Sequence, residues 1–428
     1  MATKIDRANA DIARRADSKR VAPVARIEAV ARRGVLASFE RLENAAVIVR
    51  EHGAESRYGE TSERFPDPVI IDVTDPRAWP EIAFYGSLGS GEAFMRGWWH
   101  TDQLTDLVRL LLFDRPVLEG LENGLARVAR PLMRLWYRLH RNTRSGSRRN
   151  IQAHYDLGDD FFRLFLDETM SYSAAIFATP STPLHNASLE KIDRLCRKLD
   201  LKPGDHLLEI GSGWGALAIH AAANYDCRVT TVTISDNQYD ETCRRIAAAG
   251  LDDKIEVRLQ DYRDIDGTYD KIVSVEMIEA VGHDHLDLYF RRVDELLKPD
   301  GLAAIQAITI QDSDYDQAKR SVDFIKRYIF PGGFLPSATA MLRSMTQHTQ
   351  LRLFHLEDIG FHYARTLAVW RENFDRRLDE VRSLGYSDVF IRMWSFYLSY
   401  CEGAFLERAI SDVQLVIAKP KNRTPIAF

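Results

Sequence analysis

The run Leu208-Glu209-Ile210-Gly211-Ser212-Gly213-Trp214-Gly215 carries the sharpest chemical signal in the chain. It ends an apolar stretch, Leu207 to Ile210, and opens a helical pattern through Ala216 to Ala223. Glycines at alternate positions let a backbone turn tightly and lie close against a ligand. A dinucleotide fingerprint needs G-x-G-x-x-G, so that a pyrophosphate meets the helix N-terminus. Here the order is G-x-G-x-G, with an acid, Glu209, two positions before the first glycine. That pattern suits S-adenosylmethionine, which brings a sulfonium and an ammonium group rather than a diphosphate. Further on, Thr233, Ile234, Ser235 and Gln238 stand at the end of a second apolar run, where ribose contacts belong, and Gln260 and Asp261 end a third, at the adenine edge.

These residues need elements to hold them. Apolar runs at Leu207 to Ile210, Val229 to Ile234, Ile255 to Leu259, Ile272 to Val275 and Leu302 to Ile310 alternate with helical patterns such as Ser235 to Ala248 and His285 to Leu297. Such alternation predicts an α/β, doubly wound, mainly parallel sheet with ligands at the carboxyl ends of its strands. Ahead of it, from about Val35, strand-like Ala46 to Val49 and a helix expected after Gly91 indicate a smaller α+β domain. The reading divides the chain into a flexible leader (1–34), an amino-terminal domain (35–126), a linker (127–149) and a catalytic domain (150–428). The linker carries Arg127, Arg130, Arg134, Arg138, Arg141, Arg144, Arg148 and Arg149 among Leu132, Leu135, Trp136 and Tyr137. A solvated connecting helix accounts for this stretch; so does a basic amphipathic surface that docks on anionic lipid headgroups.

Composition narrows the classes. A length of 428 residues favours two domains, and 45% hydrophobic with 28% charged residues is ordinary for a globular protein. A formal net charge of -5 argues against a surface built for nucleic acid. Four scattered cysteines without a C-x-x-C pair indicate a reducing interior. The first residues lack a secretory apolar stretch, and no segment offers about 18 uninterrupted apolar residues. The expected location is cytoplasmic, with peripheral contact at the inner face of the membrane. His283-Asp284-His285 has no further ligand at metal-binding spacing and reads as a polar helix start, so no metal is assigned. His154 reads as a residue that orders a pocket lid.

The glycine loop, Thr233 to Gln238, His154 to Gly158, Met170-Ser171-Tyr172-Ser173, Glu279-Ala280-Val281-Gly282, Tyr328 to Gly333, Gly86 to Gly89 and Gly97-Trp98-Trp99 together resemble the cyclopropane fatty acid synthases, over roughly Gly86 to Lys419. The resemblance implies a seven-stranded methyltransferase sheet and an S-adenosylmethionine-dependent methyltransferase acting on unsaturated phospholipid acyl chains. It places Tyr172 and Ser173 beside the glycine loop in the cofactor pocket. It implies a bicarbonate ion acting as base, held at positions matching Ala174, Glu279, Gln306, the backbone of Ile308, and Tyr363. The best-known members carry Cys and His where this chain has Ala174 and Gln306, which puts the anion's seat in question. The longer relatives also imply a homodimer through the amino-terminal domain.

The chemistry fits these residue types. An isolated alkene is a poor nucleophile and needs an electrophilic methyl held in line with it. Transfer leaves a carbocation, which water would trap, so the cavity must be dry. Aromatic faces stabilise a cation by about 1 to 2 kcal/mol each when desolvated. Tyr172, Tyr328, Phe330, Tyr363, Trp394, Phe396, Tyr397, Tyr400 and Phe405 are candidates, although most such residues simply fill a core. Glu279 is the expected base, acting directly or through a bound anion. Proton loss with ring closure gives a cyclopropane; a different proton loss gives a methylene branch, and its reduction a methyl branch. Three other readings compete. A small-molecule O- or N-methyltransferase leaves the amino-terminal domain unexplained, and a nucleic-acid methyltransferase lacks the P-P-[YFW] signature at the fourth strand. A noncatalytic lipid-binding homologue rests on Ala174 and Gln306.

Overall fold

The computed structural model describes residues 22–123 and 157–425. The chain divides into two compact units. The first comprises the described part of Met1–Tyr137 with Ser321–Ile329 and Trp370–Glu407; the second comprises the described part of Arg138–Arg320 with Phe330–Val369 and Arg408–Phe428. The Arg-rich 127–149 stretch and His154 lie outside the described residues.

In the first unit, strands β1 (Val47–Glu51), β2 (Ala54–Tyr58), β3 (Val69–Val73) and β4 (Trp99–His100) form a sheet in the order β2-β1-β3-β4. His52 and Gly53 alone join β1 to β2, both at positive φ (51° and 78°), the primed turn that matches strand twist. Two expectations change. Part of the supposed flexible leader belongs to the helix Ala22–Phe39, which buries Ala31, Val35, Leu36 and Phe39. The helix expected after Gly91 instead spans Ala78–Met95, kinked at Gly86 (φ 59°, ψ -135°). Gly91 lies inside it, where a Cβ would stand 2.5 Å from a ring carbon of Phe324. Glycine is there because two elements meet closely. Trp394, Phe396, Tyr397 and Phe405 are buried in this unit, on the helix Asp388–Leu406, and Tyr328 belongs to it as well.

The second unit is built on the predicted doubly wound sheet. Strands β5 (His206–Ile210), β6 (Arg228–Thr233), β7 (Ile255–Leu259), β8 (Tyr269–Val275), β9 (Leu297–Ile310), β10 (Arg352–Asp358) and β11 (Ile410–Ala418) lie in the order β10-β11-β9-β8-β5-β6-β7. Strands β5 to β9 pair in parallel, while β11 runs antiparallel to β9 and β10 antiparallel to β11. The chain winds outward from β5 through β6 to β7, then returns to β8 on the other side of β5. Between the carboxyl ends of β5 and β8 the winding reverses, and there a crevice must open.

Side-chain alternation sends neighbouring residues to opposite faces. Leu208, Ile210, Ile272, Ile305, Val413 and Leu415 join one core, with the helices Leu286–Leu296 and Ala338–His348. Leu207, Val273, Ala304 and Val416 join the other, with Leu184–Lys198 and Ala216–Tyr225. Each fully buried aliphatic side chain contributes about 1.5–3 kcal/mol. The same period of two puts Glu209, Gln306, Asp412 and Gln414 on the second face, where they form a polar seam.

Glu209 is 4% exposed, and its carboxylate accepts from Thr231 Oγ1 on the neighbouring strand at 2.6 Å. Burial pushes its carboxyl from 4.5 up to about 8, opposed by that hydrogen bond and by Lys191. Between those values the folded protein keeps a proton that the unfolded chain has released, so stability falls as pH rises through the window. Glu209→Gln should flatten the decline of Tm between about pH 5 and about pH 8, by a few kcal/mol at most. Equal slopes for the two proteins in a thermal-melt series would contradict this.

Candidate functional site

The glycine loop lies where the sequence puts it, between β5 and the helix Ala216–Tyr225. Gly211, Gly213 and Gly215 all have positive φ (100°, 51° and 85°). The amides of Gly211 and Ser212 both donate to Val232 O, which pins the loop to β6. At Gly215 a Cβ would meet Thr242 Cγ2 at 2.9 Å, while at Gly213 nothing stands within 4 Å. The backbone there is bare, a cradle that any side chain would fill. Arg245 donates to Trp214 O at 3.0 Å and Thr169 O at 2.9 Å, tying the loop to the segment before Tyr172. Phe162 lies between Trp214 (centroids 5.2 Å) and Tyr172 (5.3 Å), and Phe330 is 6.4 Å from Tyr172.

The other predicted cofactor residues occupy the ends of the next strands, on the same edge of the sheet. Thr233, Ser235 and Gln238 are buried and engage one another: Thr233 Oγ1 donates to Gln238 Oε1 at 2.9 Å, and Ser235 Oγ caps the helix Asp236–Ala249 by accepting from Gln238 N. Their polar groups hold the turn, and Ile234 remains partly exposed on it. Gln260 donates to Asp264 O at 2.6 Å, and Asp261 accepts from Arg263 Nε at 2.8 Å. Glu209 sits within β5 beneath the loop, in the buried polar seam. His283 pairs with Asp284 at 2.8 Å in the turn before the helix Leu286–Leu296.

The catalytic candidates gather around a residue that the sequence reading passed over, Glu276, directly after β8. Its Oε1 accepts from Ser173 Oγ at 2.6 Å, Ala174 N at 3.0 Å and Gln306 Nε2 at 2.7 Å. Its Oε2 accepts from Tyr363 OH at 2.8 Å. Glu276 has φ 48°, a left-handed conformation that costs a side-chain-bearing residue on the order of 1 kcal/mol. Its amide donates to Gln306 O at 2.9 Å, which carries the pairing of β8 with β9 one residue beyond Val275.

The orientation of Gln306 follows from a chain of amides. Lys198 Nζ can only donate, and it donates to Gln414 Oε1 at 2.7 Å. Gln414 must then turn its Nε2 to Gln306 Oε1, at 3.0 Å, across the register pair Gln414 and Gln306. That leaves Gln306 Nε2 facing Glu276, and Asp412 Oδ2 at 2.9 Å. The loop at Ala174 is fixed from the other side, Ala175 N donating to Thr366 Oγ1 at 3.0 Å and Phe177 N to His362 Nδ1 at 3.2 Å.

Glu279 lies one turn further on. Its Oε1 accepts from Ile308 N at 2.6 Å, while its Oε2 is buried without a hydrogen-bond partner. Burial first, and the charge of Glu276 second, push its carboxyl up to about 8. Asp412 is raised well above the carboxylate range by burial and by the charges of Glu276 and Glu279, and its Oδ1 also has no partner. Lys191 is buried nearby; desolvation lowers its pKa, and Glu276, Asp412 and Glu209 oppose that. Like carboxyls this close cannot all ionise.

Bicarbonate does not fit this arrangement. Every donor assigned to it is already used by a protein carboxyl: Ala174 N, Gln306 and Tyr363 by Glu276, and Ile308 N by Glu279. An anion would also face three carboxyl groups. The missed residues had sequence signals. Glu276 is an acid placed directly after the fourth parallel strand, where ligands bind, and Asp412 with Gln414 are polar at i and i+2 in a largely apolar strand.

Comparison with known proteins identifies the family. The family described as mycolic acid cyclopropane synthetase matches residues 142–415. The tuberculostearic acid methyltransferase of Mycobacterium tuberculosis is 42% identical over 80% of this chain and 83% of its own. The cyclopropane-fatty-acyl-phospholipid synthase of Escherichia coli is 38% identical over 82% of this chain and 88% of its own. Among solved structures, the mycolic acid cyclopropane synthase CmaA1 complexed with SAH and CTAB superposes with a TM-score of 0.60 at 31% identity, covering 64% of this chain and 98% of that one. With a family match over more than half its length and a 42% relative over four fifths of it, the chain belongs to the mycolic acid cyclopropane synthetase family.

Proposed function

We propose that this chain is an S-adenosylmethionine-dependent C-methyltransferase that methylates the double bond of an unsaturated fatty acyl chain of a phospholipid and, by loss of a proton, closes a cyclopropane ring. The observation that carries this reading is the polar well of Ser173, Gln306, Tyr363, Glu276 and Glu279 at the end of β8, across the switch point from the glycine loop at the end of β5. When bound, S-adenosylmethionine supplies a methyl group on cationic sulfur, electrophilic enough for an isolated alkene. The chain's own residues then have three tasks.

The bare backbone at Gly213 and the aromatic wall of Phe162, Tyr172 and Trp214 seat and orient the donor, with Gly211, Ser212 and Gly215 holding the turn and Thr233 to Gln238, Gln260 and Asp261 closing the adjoining strand ends. Tyr172, Phe330 and Tyr363 offer ring faces and exclude water from a cation on the acyl chain. The carboxyl cluster takes the proton. A carboxyl poised near 8, as Glu279 is, can hold or release one at neutral pH. The lipid assignment is supported by the Escherichia coli relative, whose name specifies a fatty-acyl phospholipid.

A second reading, a methyl- or methylene-branched product, is favoured by the 42% identity to a tuberculostearic acid methyltransferase. The two diverge only after the methyl has been transferred.

No helix of the described residues is long and apolar enough to cross a membrane. We place the protein at the inner face of the membrane, held peripherally through the arginines between Arg127 and Arg149. Neutralising Arg130, Arg134, Arg138, Arg141, Arg144, Arg148 and Arg149 should weaken sedimentation with anionic vesicles about tenfold or more, at about 1 kcal/mol per surface arginine, and leave S-adenosylmethionine affinity within about twofold. Unchanged vesicle binding would remove the docking role.

The decisive assay supplies S-adenosylmethionine and unsaturated phospholipid vesicles and examines the released acyl chains by mass spectrometry and proton NMR. One added carbon with upfield ring-methylene protons is expected; vinylidene protons would identify the branched product, and unmodified chains would contradict both readings. Glu279→Gln should lower product formation by about a hundredfold while cofactor affinity stays within about twofold. Loss of cofactor binding in that variant would show that Glu279 serves the cofactor instead.

A further inference from the structure

We propose that Glu276 is the built-in proton acceptor of the reaction, its carboxylate standing where a bicarbonate ion was expected, so that this enzyme works without a dissolved anion. The inference rests on the methyl-transfer reading above and names the base within it.

Four observations converge on Glu276. Its donors are Ser173, Ala174, Gln306 and Tyr363, and the last three are positions that the family resemblance gives to the anion. Those four residues are buried, whereas Glu276 is only half-buried, so part of the residue they hold remains open to an incoming group. Oε1 accepts three hydrogen bonds and Oε2 only one, from Tyr363, which leaves a lone pair on Oε2 for a proton. Lastly, its backbone has φ 48°, a conformation that glycine adopts freely and glutamate does not. A strained non-glycine residue kept at the switch point of the sheet points to a task for its side chain.

The S–CH3 bond breaks with its electron pair left on sulfur, and a new C–C bond forms from the alkene pair, leaving a carbocation on the neighbouring carbon. The electron pair of a methyl C–H bond then forms the third ring bond, and the proton passes to Glu276 Oε2. In the branched alternative a hydride first shifts with its electron pair from the methyl-bearing carbon to the cationic carbon; the methyl C–H pair then forms the methylene C=C bond, and the proton goes to the same oxygen. Either way Glu276 ends neutral and returns its proton to solvent between turnovers.

The test is a bicarbonate titration with unsaturated phospholipid vesicles in degassed, CO2-free buffer. Wild-type enzyme is expected to give the same rate, within about twofold, with and without added bicarbonate. Glu276→Gln should be slower by about a hundredfold or more in both buffers. Glu276→Gly keeps the backbone conformation and opens the well; it should be equally slow without bicarbonate and regain at least tenfold when bicarbonate or formate is added. S-adenosylmethionine affinity and melting temperature of both variants serve as the check that they are folded. Wild-type activity that collapses without bicarbonate, or a folded Gln variant of undiminished rate, overturns the assignment of Glu276 alone. Wild-type enzyme that yields no methylated acyl chain in either buffer overturns the methyl-transfer reading, and the Glu276 assignment with it.

Discussion

One carboxylate, that of Glu276, is gripped by hydrogen-bond donors from three separate stretches of chain: the loop at Ser173 and Ala174, strand β9 through Gln306, and the helix Gly360–Arg376 through Tyr363. Buried donors are expensive to leave unpaired, so each of them constrains the element that carries it. The loop must run close under the sheet edge, and Thr366 and His362 hold it there. Gln306 must present nitrogen rather than oxygen, and Lys198 enforces that through Gln414. A substantial part of the second unit can be read as the support for that arrangement.

The surrounding charges follow the same logic. Glu279 and Asp412 are pushed upward by burial and by the charge of Glu276, so negative charge is discouraged at these neighbours of Glu276. Lys191, whose own charge burial disfavours, is steadied by Glu276, Asp412 and Glu209.

Much of the parallel sheet was legible because its signals are local. The apolar runs at Leu207, Val229, Ile255, Ile272 and Leu302 became strands, and the glycine spacing after Ile210 defined the turn that begins the crevice. The site was legible in part. Ala174, Gln306, Ile308, Tyr363 and Glu279 are brought together, joined by Ser173, which was expected beside the glycine loop, yet the residue at their centre went unread because Glu276 differs from an ordinary strand-end acid only in its backbone angle and its partners. Those depend on register across β8, β9 and β11, which no local pattern encodes. The division of the chain was likewise nonlocal: Ser321–Ile329 and Trp370–Glu407 belong to the first unit although they follow the catalytic strands in sequence. The aromatic residues on Asp388–Leu406 therefore fill the core of that unit. The kink at Gly86 and the close approach at Gly91 show how a run rich in glycine can still be helix when bulky partners such as Phe324 and Phe396 need the room.

The most direct measurement is a crystal structure of the enzyme with S-adenosylhomocysteine, grown in bicarbonate buffer. The account predicts that the Glu276 carboxylate lies within hydrogen-bond distance of Ala174 N, Gln306 Nε2 and Tyr363 OH, with no separate anion among them. A planar trigonal anion held by those groups, with the Glu276 side chain turned away, would contradict it.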